Sequence, residues 1–177
     1  MTTTIAHPAG TWLVPATGTA IPHAELIARM AGQQVVLLGE THNRYDIHRW
    51  QLHVAASLLA SGRPLVLGFE MFPRRVQPAL DAYVAGDLDT ESFLIQSEWQ
   101  QVWGFDPALY LPLFQFCRQF KLPMLALNCY RALVSRVGKE GWDAIPEAER
   151  DGLTPAKPAS AAHRQHLFEI TGGVREG

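Results

Sequence analysis

The chain has 177 residues, with 15 Lys plus Arg against 17 Asp plus Glu for a formal net charge of −2, and it is 47% hydrophobic but only 18% charged. That balance describes one globular domain with a core to bury, and it excludes wholesale disorder and a charge excess of the kind that coats nucleic acid. Two cysteines, Cys117 and Cys129, supply neither a disulfide framework nor a four-thiolate zinc site and read as reduced thiols. No apolar stretch approaches the ~20 residues of a membrane helix, so no transmembrane segment is expected. The first twenty residues lack the basic and apolar regions of an export signal and hold no cysteine for a lipid, so the chain as written reads as cytoplasmic.

In chain order, the first strong signal is the apolar run at residues 35–38 (Val-Val-Leu-Leu), which has no polar alternation and reads as a strand buried on both faces. Ile47, Gln51, Val54, Ala55 and Leu58 then recur at three- and four-residue spacing, giving a helix with Asp46 as N-cap and Gly62-Arg63-Pro64 as its stop. A second strand is expected at residues 65–69 and helices at 75–84 and 90–96. Trp99, Trp103 and Phe105 form an aromatic stretch, and Asp106-Pro107 opens a further helix that buries Leu109, Leu113, Phe116, Cys117 and Phe120. Pro112 either kinks that helix or begins it, in which case Tyr110 sits in the preceding turn. A third strand at residues 122–127 leads into a helix at 131–139, a Pro- and charge-rich linker-like stretch from 142, and a last amphipathic piece at 161–170.

The expected architecture is therefore α/β: a parallel sheet of three recognisable strands with flanking helices. A three-stranded sheet leaves unpaired edges. Either a partner chain completes it, or the C-terminal part of the domain is missing.

In parallel α/β sheets the ligand sits beyond the carboxyl ends of the strands. Here those ends read Gly39-Glu40-Thr41-His42-Asn43, Glu70-Met71-Phe72 and Asn128-Cys129-Tyr130-Arg131. Glu40 and His42 are two apart and project to one side of an extended chain. With Glu70 they make a ligand set suited to Mn, Fe or Zn, while Arg131 offers a bidentate guanidinium to an anion. The other reading of each Glu is a helix cap bound to backbone amides.

His48 shares a stripe with Leu52, Ala55 and Leu59 and reads equally as a core histidine or a functional one near the rim, whereas His53 reads as solvated. His163 and His166, three apart, form a candidate ligand pair. The aromatic stretch reads as core or interface, or as the wall of a flat apolar site in which Tyr110 offers a phenolate to ferric iron. Nothing matches a phosphate-cradling Gly-rich loop.

The segments VVLLGETHNRYDIHRWQ, LVLGFEMFPRRVQPALDAY, the stretch from Trp99 to Tyr110 leading into LPLFQF, and LPMLALNCYRALV resemble the ChaN-like haem-binding uptake family of the Tiki and erythromycin-esterase-like superfamily. The resemblance is best over residues 10–141, within a single domain 1–177 whose residues 142–177 look like a tail. It implies haem as ligand, a role in iron or haem uptake, and two chains packed around a pair of haems. Tyr110 and Tyr83 are the tyrosines it offers as haem contacts, with His48 as a propionate partner and Arg131 beside them. Other branches of the superfamily are metal-dependent hydrolases, which implies Glu40, His42 and Glu70 as catalytic metal-site residues in the alternative reading. Family members are often envelope lipoproteins and run longer than this chain, which therefore reads as C-terminally truncated.

Overall fold

The computed structural model describes residues 7, 8 and 10–172. It divides into two compact units, Met1–Tyr130 and Arg131–Gly177.

The first unit opens with a small antiparallel pair, β1 (Trp12–Leu13) and β2 (Ala20–Ile21), in register Trp12↔Ile21. Helix α1 (His23–Ala31) follows and buries no side chain fully. Helix α2 (Tyr45–Ala60) buries His48, Gln51, Val54 and Ala55, the stripe set by its three- and four-residue spacing. Asp46 does not cap it. The helix starts one residue earlier, and the Asp46 carboxylate lies in the first turn, bonded to the Arg44 guanidinium at 2.8 and 3.0 Å.

Strand β3 (Leu67–Pro73) pairs in parallel with β4 (Met124–Asn128), Leu67 facing Met124 and Phe69 facing Ala126. Phe69, Met71, Met124 and Ala126 point into the core, whereas Leu125 and Leu127 on the other face stand 45% and 55% exposed. Gly68 leaves room for the Leu127 side chain, since a Cβ there would lie 2.6 Å from its methyl and force it to shift.

The first expected strand, at residues 35–38, does not form. Residues 35–38 have no ladder partner, and Val35 and Leu37 are 72% and 89% exposed. Strand conformation is held by a neighbour's N–H and C=O groups, and here the run and residues 64–71 line one cleft instead of bonding to each other. The sheet is thus two-stranded among the described residues. On β4 a side chain supplies what another strand would: Gln77 donates to the Met124 carbonyl (2.7 Å) and accepts from the Ala126 amide (2.8 Å).

Between β3 and β4 the chain packs a helical layer. A 3-10 turn (Arg74–Val76) leads into α3 (Gln77–Ala85), which ends on Gly86 at φ 99, a left-handed stop that glycine adopts without strain. Helix α4 (Thr90–Gln96) starts where Asp89 accepts from the Ser92 amide at 2.7 Å, a side-chain N-cap. The short α5 (Trp99–Val102) carries Trp99 into the core. Asp106-Pro107 opens only a 3-10 turn (Pro107–Leu109), and α6 (Leu111–Phe120) begins at Pro112's own turn. Tyr110 therefore precedes the helix, and Pro112 deletes no helical hydrogen bond. Phe120, expected inside, is 50% exposed and rests on Phe116.

The core is aromatic. Phe72, Phe93 and Phe114 meet edge to face or tilted with centroids 5.5 to 5.8 Å apart, and Tyr83 stacks on Phe93 at 4.3 Å. Such pairs add about 0.5–1.5 kcal/mol beyond the area they bury.

The second unit comprises α7 (Arg131–Glu140), two 3-10 turns (Trp142–Ala144 and Glu147–Glu149) and α8 (Ala161–Thr171). Arg150 ties its middle together, stacking over Trp142 and donating to the Ile145 carbonyl at 2.8 Å. Ser160 caps α8 by accepting from the His163 amide, and α8 buries no side chain.

Candidate functional site

Glu40 is the hub of the best-organised polar cluster in the first unit. Its carboxylate is only 15% exposed, and burying a carboxylate requires donors on both oxygens. Oε1 accepts from the Tyr110 hydroxyl at 2.9 Å and from His42 Nδ1 at 2.7 Å. Oε2 accepts from the Gln51 amide at 3.3 Å and lies 3.5 Å from His48 Nδ1. Gln51 also donates to the Leu38 carbonyl at 3.3 Å, and His48 Nε2 meets the His42 carbonyl at 3.0 Å.

These contacts assign the tautomers. Glu40 can only accept, so His42 Nδ1 donates to it and, in the neutral ring, Nε2 keeps a lone pair. Among the described residues that Nε2 has no hydrogen-bond partner, and the His42 side chain is 40% exposed. Its ring lies edge-on to Trp103 at 4.6 Å and beside Phe105 at 5.2 Å. A carboxylate bonded to the far nitrogen fixes the ring's orientation and tautomer.

His48 is the reverse case. A carbonyl can only accept, so its Nε2 carries the proton, and the buried Nδ1 faces Glu40 Oε2 without a hydrogen bond. At 3% exposure the ring is not placed to meet a ligand's propionate. It holds the His42 backbone and packs on Tyr110 at 4.3 Å.

Tyr110 is 1% exposed. Its hydroxyl accepts from Trp103 Nε1 at 2.9 Å and donates to Glu40. Burial foremost pushes the phenol well above the ordinary tyrosine range; the Trp103 bond opposes this, and the Glu40 and Glu70 carboxylates add to it. In this arrangement Tyr110 is a protonated donor and not a ready phenolate. Tyr83 stands elsewhere, fully buried on α3, with the Arg118 guanidinium 4.9 Å over its ring and its hydroxyl 3.5 Å from Thr90 Oγ1. It does not line the cleft.

Glu40, His42, Glu70 and Tyr110 do share that cleft, a hollow of about 1040 Å³ whose walls are otherwise mostly aliphatic. Glu70 reaches it from β3 as an exposed side chain, its carbonyl held by Asn128 at 2.9 Å. Among the described residues no three His, Cys, Asp or Glu side chains gather closely enough to hold a metal ion, so the expected Glu40–His42–Glu70 triad is not assembled. Arg131 opens α7 in the second unit and is exposed. Cys117 is buried in the core, and burial pushes its thiol up to about 12.

Two members of the network escaped the sequence reading. Gln51 sat in an apolar stripe, where a polar residue beside His48 was itself the signal. Trp103 read as core, interface or the wall of an apolar site, with no partner for its N–H, although a buried indole N–H needs an acceptor.

No curated protein matches the chain. Among solved structures it is similar to ChaN of Campylobacter jejuni, a protein described by its cofacial haem binding, with a TM-score of 0.65 at 19% identity over 90% of this chain. That identity carries the fold alone, and the chain spans 61% of the length of that protein. The family model for haem-binding uptake, Tiki superfamily, ChaN, matches residues 26–177. With nearly the whole chain inside that match, the protein belongs to the ChaN family of haem-binding uptake proteins in the Tiki superfamily.

Proposed function

We propose that the chain binds haem in the cleft beside His42 and serves haem or iron uptake, with His42 Nε2 as the nitrogen that would hold the iron. The observation that carries this is the Nε2, without a hydrogen-bond partner among the described residues, of a ring whose other nitrogen is anchored on Glu40 and whose flanks are Trp103 and Phe105. The cleft, at about 1040 Å³, lies just above the roughly 300–1,000 Å³ of small-molecule pockets. Its aliphatic walls suit a flat apolar ring, and Arg63 among the lining residues offers a guanidinium to a propionate. Haem would supply the iron. The chain's own residues supply the basic nitrogen, the carboxylate that orients it and the aromatic flank.

Tyr110 supports the ligand from behind in this reading, since its hydroxyl is already committed to Glu40. Family membership also motivates a two-chain arrangement around a pair of haems. Hemin titration followed in the Soret band tests the proposal. Saturable binding is expected, with His42→Ala weakening it at least about tenfold, the lower end of what even an outer-sphere partner is worth. Tyr110→Phe is expected to keep the same axial ligation. Wild-type spectra and affinity in His42→Ala would overturn the assignment; ligation lost in Tyr110→Phe and retained in His42→Ala would replace imidazole by phenolate. Sedimentation with and without hemin reads the two-chain part, expected as a doubling of mass on binding.

A further inference from the structure

A second histidine pair lies apart from the Glu40 network. His23 is the first residue of α1, His53 sits in the middle of α2, and both are exposed. Their Nε2 atoms are 3.1 Å apart and their ring centroids 4.7 Å apart. At that spacing one neutral ring donates Nε2–H to the other. The same spacing is that of two nitrogens on one metal ion: bonds of about 2.0–2.1 Å place them about 2.9 Å apart at a right angle and about 3.3 Å apart at a tetrahedral one.

We propose that His23 and His53 form a surface chelate for a borderline divalent transition metal, Cu(II) foremost, then Ni(II) or Zn(II), in the order imidazole ligands favour. Binding needs both Nε2 lone pairs, so the proton shared between the rings moves to Nδ1 of the ring that donated it. No redox change is involved. Among the described residues no third His, Cys, Asp or Glu joins the pair, so water completes the coordination sphere. The site is exchangeable, and open to solvent.

The ion would do mechanical work on α1. That helix buries no side chain, and beside the histidines the hairpin that precedes it meets α2 through Trp12 on Trp50 at 4.6 Å. After α1 the chain runs straight into residues 32–40, which line the cleft. A metal bridging His23 and His53 would staple α1 to α2 and stiffen that wall.

The test uses the untagged 177-residue chain carrying His163→Asn and His166→Asn, which removes the two histidines three positions apart on α8. Cu(II) is titrated by calorimetry and by quenching of tryptophan fluorescence, Trp50 lying one turn from His53. One saturable equivalent is expected, with two-nitrogen hyperfine structure in the electron paramagnetic resonance spectrum. Adding His23→Asn or His53→Asn should each weaken it at least about tenfold, and each should abolish the copper-dependent rise in Tm. Both residues are exposed, and circular dichroism checks that each variant is folded. Absent saturable binding, or affinity in either variant equal to that of the parent chain, overturns the site. Because His42 is untouched throughout, hemin binding stands or falls separately.

Discussion

Replacing Tyr110 by Phe isolates one oxygen that holds the candidate site together. The hydroxyl donates to a carboxylate that is only 15% exposed and accepts from Trp103, at 2.9 Å in each case. A hydrogen bond to a charged group contributes about 1.5–3 kcal/mol, and the Trp103 indole, half-buried, recovers part of its lost bond from water. The variant also escapes the cost of desolvating the hydroxyl. The net expectation is a loss of about 2 kcal/mol. At an m-value of about 2 kcal/mol/M this lowers the urea midpoint by roughly 1 M with m unchanged. Tyr83→Phe is the internal control. That ring is equally buried, but its hydroxyl has only a 3.5 Å contact with Thr90, a length at which little hydrogen-bond energy remains, so less than about 0.5 kcal/mol is expected. Equal costs for the two variants, or a Tyr110→Phe loss below about 0.5 kcal/mol, would refute the view that Glu40 depends on this donor.

The same phenol governs alkaline stability. Its folded pKa lies above the unfolded value of 10.0, so the folded state retains a proton that the unfolded state releases, and stability falls as pH rises beyond about 10. Urea titrations at pH 8 and pH 11 should show a smaller decline in Tyr110→Phe than in wild type. With the Cys117 thiol buried and pushed up to about 12, a disulfide-exchange reagent at neutral pH should modify Cys129 alone, and Cys117 only after denaturant is added. Leu37→Gln, at an 89% exposed position, should change stability by less than about 0.5 kcal/mol, whereas Phe72→Ala in the core should cost about 3–5 kcal/mol by thermal or urea unfolding. Gln77→Leu should cost about 1–3 kcal/mol by leaving the Met124 carbonyl and the Ala126 amide without partners, and faster amide exchange at Ala126 reports it directly.

The helical layer was largely legible because its signals are local. Asp89 caps α4 and Gly86 ends α3 through bonds within four residues. Glu40, His42 and Glu70 do line one cleft as expected, although only Glu70 stands on a paired strand, and the segment that carries Glu40 and His42 reaches the cleft without a ladder. What local pattern could not carry was pairing. Residues 35–38 read as a strand because Val and Leu there fit a strand's surface, yet ladder bonds depend on a neighbour far along the chain. Nor does sequence separation reveal that Tyr110 lies 2.9 Å from Glu40, seventy positions away. Tyr83 and Tyr110 looked alike as iron contacts for the same reason, and only packing separates a core ring from one wired to the site.

The missing strand changes what positions His42. In a closed parallel sheet the ladder would fix the segment that ends at Glu40. Here side chains from outside the sheet take over: Gln51 grips the Leu38 carbonyl, His48 the His42 carbonyl, and Tyr110 and Gln51 the Glu40 carboxylate. Ordinary hydrogen bonds of this kind contribute about 0.5–1.5 kcal/mol each, so the segment is held by a few kcal/mol, less than a buried ladder and its packing provide. The site is therefore ordered from α2 and the turn before α6, while the wall formed by residues 35–38 remains free to adjust to what enters the cleft. A ligand that packs against Val35 and Leu37 gains apolar burial those side chains lack in the free chain, at about 25 cal/mol per Å². Haem binding should thus order this wall, and slower amide exchange at residues 35–38 on adding hemin, with β4 unchanged, is the measurable sign; equal protection with and without hemin would separate the wall from the site.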